Sequence, residues 1–281
     1  MQGFSGLSDY DLLQPLGGGP LTVVFSARRL EDDAPCAVKL LRSDWEDQAA
    51  GIKLLQREAR AGLAVEHPHL VRVLDTHVTK PPYYLVMEWL PGESLRTQLQ
   101  RHYNLDLAHA LWIGRQAAEA LAALHRGGFL HGDVKPDNIQ LACEGRAVLL
   151  DLGFAHRPGE NAAFLRSGYV LGTANYLAPE LCGPNPTADL ASDVFSLGAT
   201  LFEMITGRLP YPPGSIDQTF RRHSSDPPAD IRVHLPMLPP ALGRLLERML
   251  ARKPEERPKA SQVVRQLIGL EIAGMTRRRS A

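Results

Sequence analysis

The segment HGDVKPDN, residues 131–138, contains an aspartate, a lysine and an asparagine at a spacing suited to phosphoryl transfer. Asp133 could accept the proton of a substrate hydroxyl group, Lys135 could stabilise the transferred phosphoryl group, and Asn138 could bind a metal ion. Asp151 follows in LLDLGFA, directly after an apolar run. An aspartate at the end of a strand is either a loop cap or a magnesium ligand.

Two segments near the start of the chain could bind phosphates. LGGGPLTVVF places Gly17 and Gly19 in a turn between two strands, where backbone N–H groups can approach phosphates without an intervening side chain. Lys39 lies in the apolar strand segment CAVK, and a buried lysine is costly unless it is paired. Glu58, on a predicted helix, is its expected partner; an ion pair at the surface is the alternative.

The elements that must position these residues differ between the two halves of the chain. Branched and aromatic residues predict strands over 21–29, 35–42 and 83–89, and apolar residues at helical spacing predict a helix over 44–66 that Asp44 could cap. Beyond residue 95 the pattern predicts long helices, notably over 107–125, 192–206 and 239–250, separated by proline and glycine clusters. The join near Pro91 and Gly92 is a natural hinge beside a ligand cleft.

Composition limits the partners. The 281 residues are 44% hydrophobic, enough for a sizeable core. With 31 basic and 31 acidic residues, no net field attracts nucleic acid or an anionic membrane. The sequence predicts neither a signal peptide nor an apolar run that could span a membrane.

Cysteine spacing and the end of the chain bear on location. Cys36, Cys143 and Cys182 lie far apart, which fits neither a disulfide framework nor a zinc site and favours a reducing cytoplasm. The last residues, MTRRRSA, are best interpreted as a solvated basic tail. If the natural chain continues, these arginines could flank a membrane helix, and the protein would be membrane-associated.

Taken in order, the motifs resemble those of the eukaryotic-type (Hanks-type) protein kinases, above all the bacterial serine/threonine kinases. The resemblance extends from about Tyr10 to Leu270. It is carried by Gly17 and Gly19, Lys39, Glu58, Asp133 with Asn138, Asp151–Gly153 and Ala178–Glu180. It implies an α+β, bilobal protein-kinase-like fold: a small N-terminal antiparallel sheet with one main helix (9–90), a larger, mainly helical C-terminal lobe (91–271) and a basic tail (272–281).

The resemblance also implies ligands and residue roles. ATP and Mg²⁺, with Mn²⁺ as an alternative metal, are the implied cofactors, and a protein serine or threonine is the implied acceptor. The implied catalytic residues are Asp133, Lys135, Lys39 and Glu58, and the implied metal ligands are Asn138 and Asp151. The implied ATP contacts are Leu16, Gly17, Gly19, Val24, Ala37, Lys39, Met87, Glu88, Leu90 and Gln140. Further implied contacts are Thr173 with Asp133, Glu180 with Arg257, and Asp193 with the catalytic loop.

One departure concerns control of activity. Gly132 stands where the family usually has an arginine that binds a phosphate on the activation loop. Without that arginine, we expect a competent catalytic loop that activation-loop phosphorylation does not control. The segment 156–175 offers only Ser167, Tyr169 and Thr173 as hydroxyl acceptors, which agrees with this hypothesis.

A second departure is Gly62, one turn after Glu58, where many kinases have a bulky apolar residue. Glycine lowers helix stability by about 1 kcal/mol relative to alanine. We therefore expect a mobile helix that an activating partner or a dimer contact must hold, and we expect Gly62→Leu to raise basal activity.

Two other functions remain open. A pseudokinase would bind nucleotide and recruit partners, but such chains usually lose Lys39, Asp133 or Asp151, and all three are present. Small-molecule kinases of the aminoglycoside and choline type also carry HGD, but they lack the APE segment that this chain has at 178–180. A protein substrate is therefore favoured.

Overall fold

The structure, a computed structural model, describes residues 7–160 and 172–279. The strands are β1 (Tyr10–Gly18), β2 (Thr22–Arg29), β3 (Pro35–Leu41), β4 (Val73–His77), β5 (Tyr84–Glu88), β6 (Gly92–Ser94), β7 (Ile139–Ala142) and β8 (Arg146–Leu149). The α-helices in the described ranges are α1 (Ala49–Ala64), α2 (Leu95–His102), α3 (Leu107–Arg126), α4 (Leu190–Thr206), α5 (Ile216–Ser225), α6 (Ile231–His234), α7 (Pro240–Met249) and α8 (Ala260–Arg279).

The N-terminal lobe is a five-stranded antiparallel sheet with the order β1-β2-β3-β5-β4. Strand β3 is central and almost entirely buried, which explains why its sequence is continuously apolar except for Lys39. Helix α1 packs on the sheet through a small core that includes Leu55 and Ala59 of the helix and Leu41 and Leu85 of the strands. The predicted α+β, bilobal fold is confirmed.

Helix α1 begins four residues later than a cap at Asp44 would place it. A separate 3₁₀ turn, Ser43–Trp45, precedes the helix. Gln48 is the N-cap, and its side chain donates to the carbonyl oxygen of Asp44 (2.9 Å) instead of accepting from the first N–H groups of the helix. Trp45 packs against the core under α1, and this packing separates the turn from the helix. The expected capping of the helix by Asp44 is therefore wrong.

The C-terminal lobe is built around two long buried helices. Asp106 caps α3, and Asp189 forms a capping box with Ser192 at the start of α4. Helix α4 is apolar on nearly all sides and lies in the middle of the core, where it carries Asp193. These helices begin or end within two residues of their predicted bounds.

The two lobes meet at Pro91 and Gly92, where the sequence predicts a hinge. Gly92 has φ +145°, and a Cβ there would lie 2.0 Å from the carbonyl oxygen of Leu141, so only glycine fits. The pairing of β6 with β7 and a bond from Cys143 N–H to the Pro91 carbonyl (2.8 Å) attach this segment to the large lobe. The backbone N–H and C=O groups of the segment at Pro91 and Gly92 are therefore held in place by the large lobe.

The final helix, α8, packs along α3, and Arg115 of α3 pairs with Glu271 at 2.9 Å. The helix runs from Ala260 to Arg279, so the boundary expected between residues 271 and 272 falls inside it. Within residues 7–160 and 172–279, none of the helices combines the length and the apolar character that a membrane crossing requires.

Candidate active site

A cleft of 820 Å³ lies between the sheet and the large lobe. The cleft lining includes all the residues expected to contact ATP or metal, together with Glu58 and Lys135. Asp133 is not part of the lining; it lies directly behind Lys135 and Asn138 and contacts both. The structure therefore places the predicted site residues in the lining of one cleft, with Asp133 directly behind it.

Lys39, Glu58 and Asp151 form one ionic cluster inside the cleft. Lys39 Nζ lies 2.7 Å from Glu58 Oε2 and 2.7 Å from Asp151 Oδ1. Lys39 and Glu58 are buried, so the alternative of a surface ion pair does not apply. Three different elements meet at this point: β3, α1 and the segment after β8.

The pKa values of the three residues show how two carboxylates interact with a single lysine. Burial alone would lower the pKa of Lys39, but the two carboxylates raise it well above its usual range. Burial would raise the pKa of Asp151, but Lys39 holds it at about 2. Burial raises the pKa of Glu58 to about 7, although Lys39 opposes this shift. Glu58 is thus the member of the cluster that protonates first as pH falls.

The side chain of Asp133 accepts hydrogen bonds from three neighbours. Thr173 Oγ1 donates at 2.8 Å, Asn138 Nδ2 donates at 3.0 Å, and Lys135 Nζ lies 2.7 Å away. Lys135 Nζ also donates to Thr173 Oγ1 at 2.6 Å. Asp133 is 5% exposed, so these bonds fix the orientation of its carboxylate. The predicted contact between Thr173 and Asp133 is confirmed.

The backbone of this loop is held from below by Asp193 of α4. Its carboxylate accepts from the N–H groups of His131 (2.8 Å) and Gly132 (2.9 Å), and it lies 2.9 Å from His125 Nε2. Burial would raise the pKa of Asp193, but these partners lower it, so its charge is retained. The expectation that Asp193 orients the loop agrees with these contacts.

Gly132 has a conformational reason to be glycine. Its φ is +82°, in the left-handed region that side chains rarely adopt, and a Cβ there would lie 3.0 Å from the carbonyl oxygen of Phe154. Any larger residue would therefore have a strained backbone and would crowd the segment after Asp151.

The donor set in the cleft fits a magnesium ion. Asn138 Nδ2 faces two acceptors, Asp133 O at 2.8 Å and Asp133 Oδ2 at 3.0 Å, so its amide oxygen points the other way. Asp151 uses Oδ1 for Lys39 and for the N–H of Gly153, and its side chain is 41% exposed to the cleft. A carboxylate and an amide oxygen are ligands that Mg²⁺ accepts together with phosphate oxygens and water.

Gln140 has a role at the hinge that sequence reasoning did not find. Its Nε2 donates to the carbonyl oxygen of Leu90 at 3.0 Å. The side chain of Glu88 is also engaged, because it pairs with Arg146 at 2.9 Å. The backbone segment expected to bind adenine is thus fastened to the large lobe by two side chains.

Gly62 does not leave the space that the sequence suggested. A Cβ at this position would lie 2.3 Å from Val73 Cγ2, so the β4 side chain already occupies the site. The Lys39–Glu58 pair is formed, and α1 is closely packed here. The gap that the expected activation by Gly62→Leu requires is absent, because a leucine would displace Val73.

A partly buried network beside the catalytic loop was also missed. Arg96 of α2 pairs with Glu203 of α4 at 2.7 Å and with Asp137 at 3.2 Å, and Tyr176 bonds to both Arg96 and Glu203. The four residues come from four separate segments of the sequence, so their contacts could not be predicted. The one available signal was the position of Arg96, shortly after the predicted hinge.

The predicted pair of Glu180 and Arg257 is present, with two contacts of 2.7 Å. Ser167 and Tyr169 lie outside the described residues.

Comparisons with known proteins agree with this geometry. Residues 10–267 match the protein kinase domain family. Similar proteins include the serine/threonine-protein kinases PknD of Mycobacterium tuberculosis (33% identity over 90% of this chain and 38% of PknD) and PkaB of Streptomyces coelicolor (34% over 95% of this chain and 65% of PkaB). PknK of M. tuberculosis is 37% identical over 96% of this chain and 24% of its own length. This chain thus spans about a quarter to two thirds of these relatives, and it belongs to the eukaryotic-type (Hanks-type) protein kinase family.

Proposed function

We propose that the chain is an active serine/threonine protein kinase that transfers the γ-phosphate of ATP to a protein hydroxyl group. The observation that carries this proposal is the cluster in which Lys135 and Thr173 both contact the Asp133 carboxylate at the edge of the cleft. Relatives named as serine/threonine-protein kinases support the choice of acceptor.

Each charged residue has a chemical role in this proposal. Asp133 accepts the proton of the attacking hydroxyl, and Lys135 compensates the negative charge that develops on the transferred group. Lys39, positioned by Glu58, binds phosphate oxygens of ATP. Asn138 and Asp151 would hold Mg²⁺, which when bound neutralises phosphate charge. Mn²⁺ has the same preference for oxygen ligands.

The base of ATP would bind against the hinge. The backbone of Glu88 and Leu90 would pair with adenine, and Met87 would lie behind it. The remaining contacts would come from Leu16, Gly17, Gly19, Val24, Ala37 and Gln140, all of which line the cleft. In this proposal residues 9–90 form the ATP-binding lobe, residues 91–271 form the substrate lobe and residues 272–281 form a basic extension.

We also propose that activity does not depend on activation-loop phosphorylation. Gly132 provides no guanidinium group for a phosphate, and Thr173 is already bonded to Asp133 and Lys135. An activating partner or a second copy of the chain would act on α1, where Leu63 is 58% exposed.

The three cysteines of the chain are free thiols, which is consistent with a reducing cytoplasm.

The test is phosphate incorporation from labelled ATP and magnesium into a generic basic protein, comparing wild type with Asp133→Asn. An active kinase loses incorporation by several orders of magnitude in the variant, because the isosteric amide cannot accept the proton. If the wild type binds ATP without transferring phosphate to protein, the proposal fails. Aminoglycosides and choline would then be tested as acceptors, and inactivity with all of them would indicate a pseudokinase.

A further inference from the structure

One ion pair connects α1 to the segment that follows Asp151. Arg60 Nη2 of α1 lies 2.6 Å from Glu160 Oε2, across 100 residues of sequence. The same carboxylate oxygen accepts from the backbone N–H of Arg157 at 3.0 Å. Glu160 is therefore held at two points, one on α1 and one in its own segment.

The surroundings of Glu160 are rich in arginine. The guanidinium groups of Arg60 and Arg157 lie 5.6 and 5.2 Å from the centre of the Phe129 ring. Arg57, one helical turn before Arg60, is close enough to act on the same carboxylate. Burial would raise the pKa of Glu160, but Arg60, the Arg157 N–H and Arg57 lower it, so it stays charged. In the part of the chain that the structure describes, the Glu160 carboxylate thus lies among the side chains of three arginines.

This group of charges is directly coupled to the active-site cluster. Arg60 lies two residues after Glu58, whose carboxylate also interacts with the backbone of Leu152. Helix α1 is thereby joined to the segment 152–160 at both ends of that segment. A displacement of α1 that separated Lys39 from Glu58 would also have to break the Arg60–Glu160 pair.

We propose that Glu160 is a positioning residue that holds α1 in the arrangement in which Lys39 and Glu58 are paired. Its carboxylate supplies, as part of the chain, the negative charge that a phosphate would otherwise bring to these arginines. This inference rests on the proposed independence from activation-loop phosphorylation, and it names the group responsible.

The test uses phosphatase-treated protein, so that no phosphate substitutes for the carboxylate. Glu160→Gln, Glu160→Asp, Arg60→Glu and the exchange Arg60→Glu with Glu160→Arg are compared with wild type. The matched control is Glu247→Gln, which removes the exposed Arg232–Glu247 pair in the large lobe. Two quantities are measured: kcat for a basic protein substrate, and hydrogen exchange of the backbone amides of α1.

Glu160→Gln should lower kcat about three- to fivefold, the range expected when a partly exposed ion pair is lost. The KM for ATP should change less than twofold, and α1 should exchange faster. Glu160→Asp and the exchanged pair should each recover at least half of the lost rate, whereas Glu247→Gln should match wild type. In 0.5 M NaCl the wild-type kcat should fall toward that of Glu160→Gln, because salt screens exposed charges.

Wild-type kcat and unchanged α1 exchange in Glu160→Gln would overturn the inference. It would also be overturned if the exchanged pair were as slow as Arg60→Glu alone. If wild type transfers no phosphate at all, the proposed function fails separately, and hydrogen exchange still decides whether Glu160 holds α1.

Discussion

The two charged clusters at the cleft are held in different ways. Asp133 and its neighbours belong to a loop whose backbone is bonded to Asp193, deep in the large lobe. Lys39, Glu58 and Asp151 instead come from three elements, and α1 contributes Glu58 while resting on a small core. The catalytic loop is thus built into the most buried part of the fold, whereas the lysine cluster depends on where α1 lies. We therefore expect control of activity to act through the position of α1.

The largest effect should follow from Asp193→Asn, which tests whether the loop depends on its buried anchor. The amide can accept only one of the two N–H bonds and turns a donor toward the other. A shift of about 1 Å in the loop lowers kcat on the order of 100-fold. Steady-state kinetics with the basic protein substrate would measure this.

Thr200→Val is the matched control, because Thr200 is buried in the same helix and, among the described residues, its hydroxyl donates to the carbonyl of Ser196. It should lower the melting temperature by a few degrees with little change in kcat. Equal loss of kcat in both variants would show that α4 matters only for stability.

The second effect concerns pH and the lysine cluster. Because burial raises the pKa of Glu58 to about 7, its proton returns as pH falls below that value, and its attraction for Lys39 is lost. Between pH 7.5 and pH 6, kcat/KM should fall about tenfold, in line with one titrating group. A profile measured from pH 5.5 to 8.5 would show this acid limb.

Glu58→Gln should be slower at all pH values and should lack the acid limb.

The contribution of Glu58 to the stability of the fold depends on pH in the opposite direction to its contribution to activity. A raised pKa means that the folded state binds this proton more tightly, so the contribution of Glu58 to folding falls as pH rises from about 4.5 to 7. An acid limb that persists in Glu58→Gln would assign it to another group.

The third effect tests how tightly α1 is packed. Gly62→Leu should destabilise the fold by about 1–3 kcal/mol through overpacking against Val73, and it should lower kcat several-fold. Thermal unfolding and kinetics would be measured together. Combining Gly62→Leu with Val73→Ala should recover most of the lost stability, because the side chain that the leucine displaces is then shorter.

Gly269→Ala is the control, because Gly269 lies in helix α8 with open space around it. This change should be neutral or stabilising by up to about 1 kcal/mol. Increased activity in Gly62→Leu would instead support the view that α1 is loosely held.

Sequence patterns predicted the residues whose role is set by local context. Lys39, Asp133 and Asp151 each lie in a short motif, and the structure places them together. Gln140 with Leu90, and Gly62 with Val73, depend on which distant side chains meet after folding. Neither residue type nor spacing in the sequence predicts contacts between residues that are far apart in the chain. The start of α1 was missed for the same reason. Trp45 packs against the core, and residues 43–45 form a separate 3₁₀ turn instead of the first turn of the helix.

The smallest effect should come from Gln140→Leu at the hinge. The change removes one hydrogen bond, worth about 0.5–1.5 kcal/mol, and adds apolar contact with adenine of similar size. We expect the apolar contact to prevail slightly and the KM for ATP to fall two- to threefold. A higher KM in steady-state assays would mean that the bond to Leu90 orders the hinge for ATP.

Gly132 also affects the order in which substitutions can accumulate in this chain. While glycine occupies this left-handed position, a change at Asp193 frees no strained side chain, and the loop loses only hydrogen bonds. Once a larger residue stands at 132, the same change would release backbone strain of about 1–3 kcal/mol in addition. Positions 132 and 193 are therefore coupled: with a larger residue at 132, the hydrogen bonds from Asp193 would also have to hold a strained backbone.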